Sequence, residues 1–232
     1  MAPRRGRRAL RHLAAVAALL AAAGVTFAGE LSGRVSLVSS RSGRPARGVE
    51  VDQTVVAFVP ARWVRPAPPE EPFEMATVRK AFEPEVLVVP TGAIVLFPNF
   101  DPILHNVFSL TPGNAFDVGV YGRGEGKSAI LQKSGVVRVF CNVHQDMFGH
   151  ILVLDTPHFQ RVEADGTFRL DGLPEGPGEL LTWHPQGKLE RRPLGSPRGG
   201  LALEIKTDRR RVPRHLNKFG KPYRSRRSRY SG

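Results

Sequence analysis

The sequence has few of the residues that build cross-links or membrane spans. Its 232 residues include one cysteine, Cys141, so no disulfide can form within the chain. The apolar run from Leu13 to Val25 is only thirteen residues long, whereas a transmembrane helix needs about 20. No internal repeat is apparent, and no sustained helical periodicity precedes residue 155. A disulfide-stapled fold and a repeat protein are therefore excluded.

Acidic residues are absent from both ends of the chain. Residues 1–28 contain five arginines and residues 209–232 contain ten lysines or arginines, with no acid in either stretch. Residues 29–208 hold the other 19 basic residues and all 21 acidic ones. The formal net charge of +13 therefore lies outside the folded part, whereas a nucleic-acid binder carries a basic stripe on a folded face. We expect no nucleic-acid partner.

The first 28 residues have the layout of a signal peptide. Five arginines precede the apolar run, and Thr26-Phe27-Ala28 places small residues where a signal peptidase cleaves. We expect an exported protein of the periplasm or cell envelope whose mature chain begins near Gly29; an uncleaved membrane anchor is the alternative. In an oxidising compartment a lone thiol needs a use. Cys141 could form an intermolecular disulfide, stay buried and inert, or bind a metal.

Short strands separated by turns dominate the folded part. With 24 glycines and 20 prolines, the pattern predicts an all-β, antiparallel Greek-key β-sandwich over residues 29–154. Residues 112–126 contain five glycines and are predicted to be mostly turn. After Asp155 the pattern restarts and predicts a small β-sandwich domain at 155–207, followed by a basic disordered tail at 208–232. The tail would suit an anionic envelope surface or remain solvated.

One loop combines sulfur and nitrogen ligands. Cys141, His144 and Met147 form a Cys-x2-His-x2-Met loop after the strand 136–140, and His105 lies upstream after its own strand and turn. Copper that alternates between Cu(I) and Cu(II) is well held by two imidazoles and a thiolate in a trigonal set, with a distant thioether as axial ligand. The sequence therefore predicts one copper ion bound by these four residues.

Each of these residues also has an ordinary structural explanation. A cysteine at a strand end is often a small buried hydrophobe, a lone histidine is often a core or surface residue, and a methionine often fills space. Their joint occurrence at this spacing favours a metal site. Structural zinc fits less well, since its sites usually add a second cysteine or a third histidine rather than a methionine.

The loop and its partner strand resemble the cupredoxin family of small blue copper proteins, especially its plastocyanin and amicyanin branch. The resemblance covers roughly residues 75–155 and rests on Leu104-His105-Asn106-Val107-Phe108 and on Gly135–Met147. It implies that His105, Cys141, His144 and Met147 are the ligands of one type 1 copper, in a cupredoxin-like sandwich. It also implies that Asn106 joins the two ligand-bearing segments. Gln145-Asp146 stand where amicyanin-type loops usually have proline, which leaves the reduction potential open.

The whole chain is similar to exported bacterial plastocyanin-like proteins of the methylamine-utilisation type. These join a cupredoxin unit to a small carboxypeptidase regulatory-like β domain, and Asp165–Leu170 with Leu173–Gly176 carry this second part of the resemblance. The resemblance implies electron transfer to a redox partner protein in the cell envelope. His144 would be the electron port, within an apolar patch for which Pro102-Ile103-Leu104 and Phe148 are candidates.

Two other functions share the same ligands. A copper storage or delivery protein would favour a Met-rich or His-rich tract, and the chain has only three methionines. A copper enzyme would need further histidine clusters, but the mature chain retains only His150, His158, His184 and His215 beyond the loop and its partner, with no His-x-His pair. We expect an electron carrier and no enzymatic activity.

Overall fold

The computed structural model describes residues 27–62, 64–208 and 214–223. The predicted signal peptide, apart from its last two residues, and the tail residues 209–213 and 224–232 lie outside these ranges. The described part contains a 3-10 turn at Val51–Gln53 and no α-helix, and it has no helix long and apolar enough to cross a membrane. Its strands are β1 (Phe27–Ser39), β2 (Val55–Pro60), β3 (Phe73–Glu74), β4 (Ala76–Val78), β5 (Ala81–Glu83), β6 (Val86–Pro90), β7 (Ile94–Asn99), β8 (His105–Ser109), β9 (Phe116–Tyr121), β10 (Gly124–Ile130), β11 (Gly135–Phe140), β12 (Phe148–Leu154), β13 (Phe159–Arg161), β14 (Thr167–Pro174), β15 (Gly178–Trp183), β16 (Glu190–Leu194) and β17 (Leu201–Thr207).

The strands form two β-sandwich units, one inserted into the other. The central unit, residues 73–154, packs the sheet β10-β7-β4-β5, with β3 beside β7, against the sheet β6-β12-β11-β8-β9. The split unit combines the N-terminal strands β1 and β2 with β13–β17, in the sheets β14-β1-β17 and β13-β2-β15-β16. The predicted all-β sandwich architecture is confirmed.

The predicted division at residue 154 does not follow these sheets. The sequence places residues 29–60 with the first unit, but β1 pairs with β14 and β17, and β2 pairs with β13 and β15. The apolar run in residues 55–59 indicates a buried strand without indicating which sheet the strand joins. The extent of the cupredoxin resemblance, residues 75–155, coincides instead with the central unit.

Three of the four sheets are mixed, whereas the sheet β13-β2-β15-β16 is purely antiparallel. β1 and β17, β6 and β12, and β3 and β4 with β7 are parallel pairs. Consecutive strands such as β6 and β7 lie in opposite sheets, so a strand often meets a partner that is not its hairpin neighbour. Residues 116–121, predicted as turn, form β9, which pairs with β8 beside a bulge.

Buried side chains tie the two units together. Each unit has its own apolar cluster, and a third cluster lies between them. It consists of Val55, Ala57, Val86, Leu152, Leu154, Leu181 and Trp183. The units therefore share a packed core, and the central unit is held on the split unit through β12 and β15.

Candidate metal centre

The strand ends that carry the four predicted ligands meet at one end of a single sheet. His105 opens β8, Cys141 follows the last residue of β11, and β12 begins directly after Met147. Because β8, β11 and β12 are neighbours, these strand ends lie at the same end of the sheet. The loop between β11 and β12 is closed by its own backbone: the N–H of Cys141 donates to Met147 O, and the N–H of Met147 donates to His144 O, at 3.1 Å each.

The spacing of the donor atoms matches a trigonal metal site. Sγ of Cys141 lies 3.7 Å from Nδ1 of His105 and 3.7 Å from Nδ1 of His144, and one ligand atom from each of the three lies within 4.8 Å of the others. With bonds of about 2.1 Å to nitrogen and about 2.3 Å to sulfur, an angle of about 120° at the metal separates N and S by about 3.8 Å. The three side chains fit one ion, and a thiolate with two imidazoles suits copper.

The site is buried on all but one side. His105 and Cys141 have no exposed surface and Met147 is 2% exposed, whereas His144 is half-buried. Met147 belongs to the same apolar cluster as Cys141, which keeps its thioether out of water. Among the described residues, His105, Cys141 and His144 are the one group of three histidine, cysteine or carboxylate side chains close enough to share an ion.

Asp101 sets the orientation of His105. Its carboxylate Oδ2 lies 2.8 Å from Nε2 of His105. Burial works to raise the pKa of Asp101, but hydrogen bonds from Lys80 N–H, His105 and Arg79 N–H together hold that pKa below its usual value. The carboxylate is therefore ionised and only accepts, so Nε2 of His105 carries the proton. This tautomer leaves the lone pair of Nδ1 directed toward Cys141.

A strained turn supports Asp101 in its position. Arg79 and Lys80 join β4 to β5 with φ of 50° and 60°, in the left-handed region that favours glycine. Their N–H groups donate to Oδ1 and Oδ2 of Asp101 at 2.6 and 2.8 Å. The turn of one sheet thus fixes the carboxylate that orients a histidine of the other. Sequence reasoning missed Asp101, and its position four residues before His105 was the available signal.

Neutral side chains surround the thiol. Burial, followed by the nearby His105 and Lys80, lowers the pKa of His144, which favours the neutral imidazole that binds metals. Burial and then the proximity of Cys141 raise the pKa values of Tyr121 and Tyr223. Neither tyrosine hydroxyl has a hydrogen-bond partner among the described residues. Sequence reasoning did not identify either tyrosine, since β9 was read as turn and Tyr223 as tail.

Asn106 plays a different role from the one that the resemblance implies. Its Nδ2 donates to Asp117 Oδ1 at 2.6 Å and to Gly119 O at 3.0 Å, both on β9. It therefore ties β8 to β9 and does not reach the ligand loop directly. The link to the loop is indirect, because Asp117 also accepts from Nζ of Lys218 at 2.8 Å, and the N–H of Lys218 donates to Oδ1 of Asn142 at 3.2 Å.

Part of the predicted disordered tail lies against the ligand loop. The ring of His215 stacks on Phe140 with 4.0 Å between centroids and 17° between planes. Nε2 of His215 lies 3.0 Å from the carbonyl oxygen of Gln145. Together with Lys218, His215 makes residues 214–223 a cover for the loop that the basic composition of the tail did not predict.

Comparison with known proteins gives cupredoxins at low similarity. No family model matches the chain, and no curated protein matches its sequence. Among solved structures, a purple cupredoxin from Nitrosopumilus maritimus is 19% identical, with 35% of this chain and 99% of that chain covered and a TM-score of 0.32. A reduced point mutant of amicyanin is 18% identical, with 44% and 99% covered and a TM-score of 0.35. The copper-containing nitrite reductase of Thermus scotoductus is 25% identical, with 41% and 25% covered and a TM-score of 0.35.

Proposed function

We propose that this chain is an exported one-electron carrier with a single type 1 copper ion. His105, Cys141 and His144 would hold the ion, with Met147 as a fourth, weaker ligand. The observation that supports this most directly is the pair of 3.7 Å separations between Sγ of Cys141 and the two Nδ1 atoms. When bound, copper supplies a one-electron couple between Cu(I) and Cu(II).

The residues around the ion would keep the geometry the same in both oxidation states. The loop is pinned by its backbone hydrogen bonds, and Asp101 fixes the ring of His105. Because Cu(I) and Cu(II) prefer different geometries, a rigid intermediate arrangement lowers the reorganisation that accompanies electron transfer. The buried thiolate would also be protected from oxidation in the cell envelope.

The exposed edge of His144 is the proposed electron port. Val143, the residue before it, is 48% exposed, and Leu104 and Phe100, which lie near His105 in the chain, are 57% and 56% exposed. Leu104 was a predicted member of this patch, while Phe148 is only partly exposed. An apolar face with one exposed imidazole suits brief docking of a redox partner protein, which needs little polar pairing.

Two features favour a carrier over the alternatives. A copper enzyme of the multicopper kind needs further histidine clusters, and in the described ranges His150, His158, His184 and His215 do not form a second group. A storage protein would hold several ions, whereas the described donors enclose space for one. Export and the envelope location rest on residues 1–28, and association of the tail with an anionic envelope surface rests on residues 209–232.

The test is a visible absorption spectrum with metal analysis on the mature chain. One equivalent of Cu(II) should give one bound copper and an intense thiolate-to-copper band. Cys141→Ser should abolish the band, while His158→Gln, which changes a histidine outside the site, should retain it. A wild-type protein that stays colourless with stoichiometric Cu(II) refutes the proposal. Rapid loss of copper to a competing chelator would favour delivery over electron transfer.

A further inference from the structure

A cleft between the two units begins beside the cover of the ligand loop, where Phe140 and His215 line it. The part next to Trp183 has a volume of about 550 Å³ and an adjoining part about 740 Å³, and both are lined by Arg138, His150, Lys188 and Arg214. We call this space the interunit cleft. Its size is in the range of small-molecule sites.

The part of the interunit cleft next to Trp183 is lined by three cations and by no acid. Arg138, Lys188 and Arg214 line it together with apolar and aromatic residues. These three cations form no ion pair with any described residue. Lys206 and the acids Glu190 and Asp208 line the adjoining part together with the same three cations.

His150 provides a buried polar group within the same cleft. It pairs with Arg138 across β11 and β12, so both side chains lie on one face of the sheet. His150 is 5% exposed, and its Nδ1 has no hydrogen-bond partner in the described part of the chain. Burial, and then Arg138, lowers the pKa of His150 to about 4. The buried ring is therefore neutral and adds no charge to the cleft.

The rest of the lining next to Trp183 is largely apolar. The indole of Trp183 packs edge-on against His150 at 5.6 Å between centroids, and Leu189, Val136 and Leu110 extend the apolar lining. An inorganic anion would leave this lining in contact with water, whereas a flat apolar body would cover it.

We propose that the interunit cleft binds a small aromatic carboxylate. Its carboxylate lies among Arg138, Lys188 and Arg214, and its ring lies against Trp183 and Leu189. Charge-assisted hydrogen bonds to the guanidinium groups hold the head, and burial of the ring adds the remaining affinity. The binding requires neither the metal nor its ligands.

The test uses benzoate as the probe, with benzamide as its uncharged counterpart and acetate as its ring-free counterpart. The protein is the mature chain carrying Trp63→Phe, so that Trp183 is the remaining tryptophan and its fluorescence reports the cleft. Titration calorimetry on the same samples detects binding that fluorescence misses. We expect saturable benzoate binding and at least about tenfold weaker binding of benzamide and acetate.

Charge-matched variants locate the site. Arg138→Gln and, independently, Lys188→Gln should each weaken benzoate about tenfold or more and leave benzamide unchanged. Arg192→Gln removes the same charge from an exposed position on β16 outside the cleft and should change nothing. Equal binding of benzoate and benzamide, equal binding of benzoate and inorganic phosphate, or no benzoate binding up to about 10 mM would each overturn the proposal. Copper binding should be unchanged in all three variants, so a failure here leaves the proposed electron-transfer function untouched.

Discussion

Replacement of Asp101 by asparagine changes one atom in contact with a ligand histidine and leaves the volume nearly the same. The carboxylate accepts three hydrogen bonds of 2.6 to 2.8 Å, from Nε2 of His105 and from the N–H groups of Arg79 and Lys80. An asparagine offers one accepting oxygen, so its Nδ2 must face either the N–H of Arg79 or the N–H groups of both Lys80 and His105. At least one donor then loses its partner.

The structure sets the size of the effect. A hydrogen bond to a charged group is worth about 1.5–3 kcal/mol, and Asp101 is only 7% exposed, so solvent offers little replacement. The lower desolvation cost of a neutral amide offsets part of this loss. We therefore expect Asp101→Asn to destabilise the metal-free fold by about 2 kcal/mol. Loss of the group that orients a ligand histidine typically weakens metal binding about 10–100-fold.

The charge of Asp101 adds a specific expectation. A buried carboxylate favours the more positive metal, so its removal should weaken Cu(II) more than Cu(I) and raise the reduction potential. Chelator competition for each oxidation state, together with voltammetry, measures both effects. Asp155→Asn is the matched control, because Asp155 is also a partly buried carboxylate, and it accepts from Thr91 and pairs with Arg65 at the end of β12 far from the ligand loop. Unchanged Cu(II) affinity, or a potential that falls, would refute the role assigned to Asp101.

Three other perturbations follow from the described contacts. The pKa of His150 is lowered to about 4, so as the pH falls the unfolded chain takes up the proton before the folded chain does. The free energy of unfolding of the metal-free protein should therefore fall by up to about 3 kcal/mol between pH 6.5 and 4. Urea titrations should show a weaker pH dependence of this free energy in His150→Gln. Deletion of residues 209–232, but not of 224–232, should speed copper loss to a chelator about threefold to tenfold. Equal rates of copper loss in the two deletion variants would show that residues 214–223 do not protect the site. Gly126→Ala should cost about 3 kcal/mol or more in thermal unfolding, since its Cβ would lie 1.9 Å from Phe97 O at φ +87°, whereas Gly195→Ala meets nothing within 4 Å and should be neutral.

The ligand loop could be proposed from the local sequence. Cys141, His144 and Met147 lie within seven residues, and the β-branched strand before them fixes the loop on a sheet edge. His105 could be added because it also follows a strand and a turn. In the structure, donor atoms of His105, Cys141 and His144 lie within 4.8 Å of one another, and the ligand role of Met147 stays a prediction. The chain alone did not show how the histidine rings are oriented.

What supports the site depends on contacts between distant segments. Asp101 is an ordinary loop acid in the sequence, and its role appears only when the turn at Arg79 and Lys80 meets it from the other sheet. His215 lies in a basic stretch without apolar periodicity, yet it stacks on Phe140. Likewise, the apolar run of β2 indicates that the strand is buried, but it does not indicate that the strand pairs with β15. Pairings of this kind are set by packing and are not encoded in spacing.

The parallel pairing of β1 with β17 has a mechanical consequence. Seven consecutive residues of each strand are in register, from Gly33 with Leu201 to Ser39 with Thr207. Tension applied between Gly29 and Asp208 would pull these two strands past each other along their length, so their hydrogen bonds would share the load instead of opening one by one. The central unit, residues 73–154, lies between these two strands in the chain and would feel no force until they separate. Single-molecule stretching with handles at those two positions should show one high-force event before the central unit unfolds, and a low-force opening would contradict the shear arrangement.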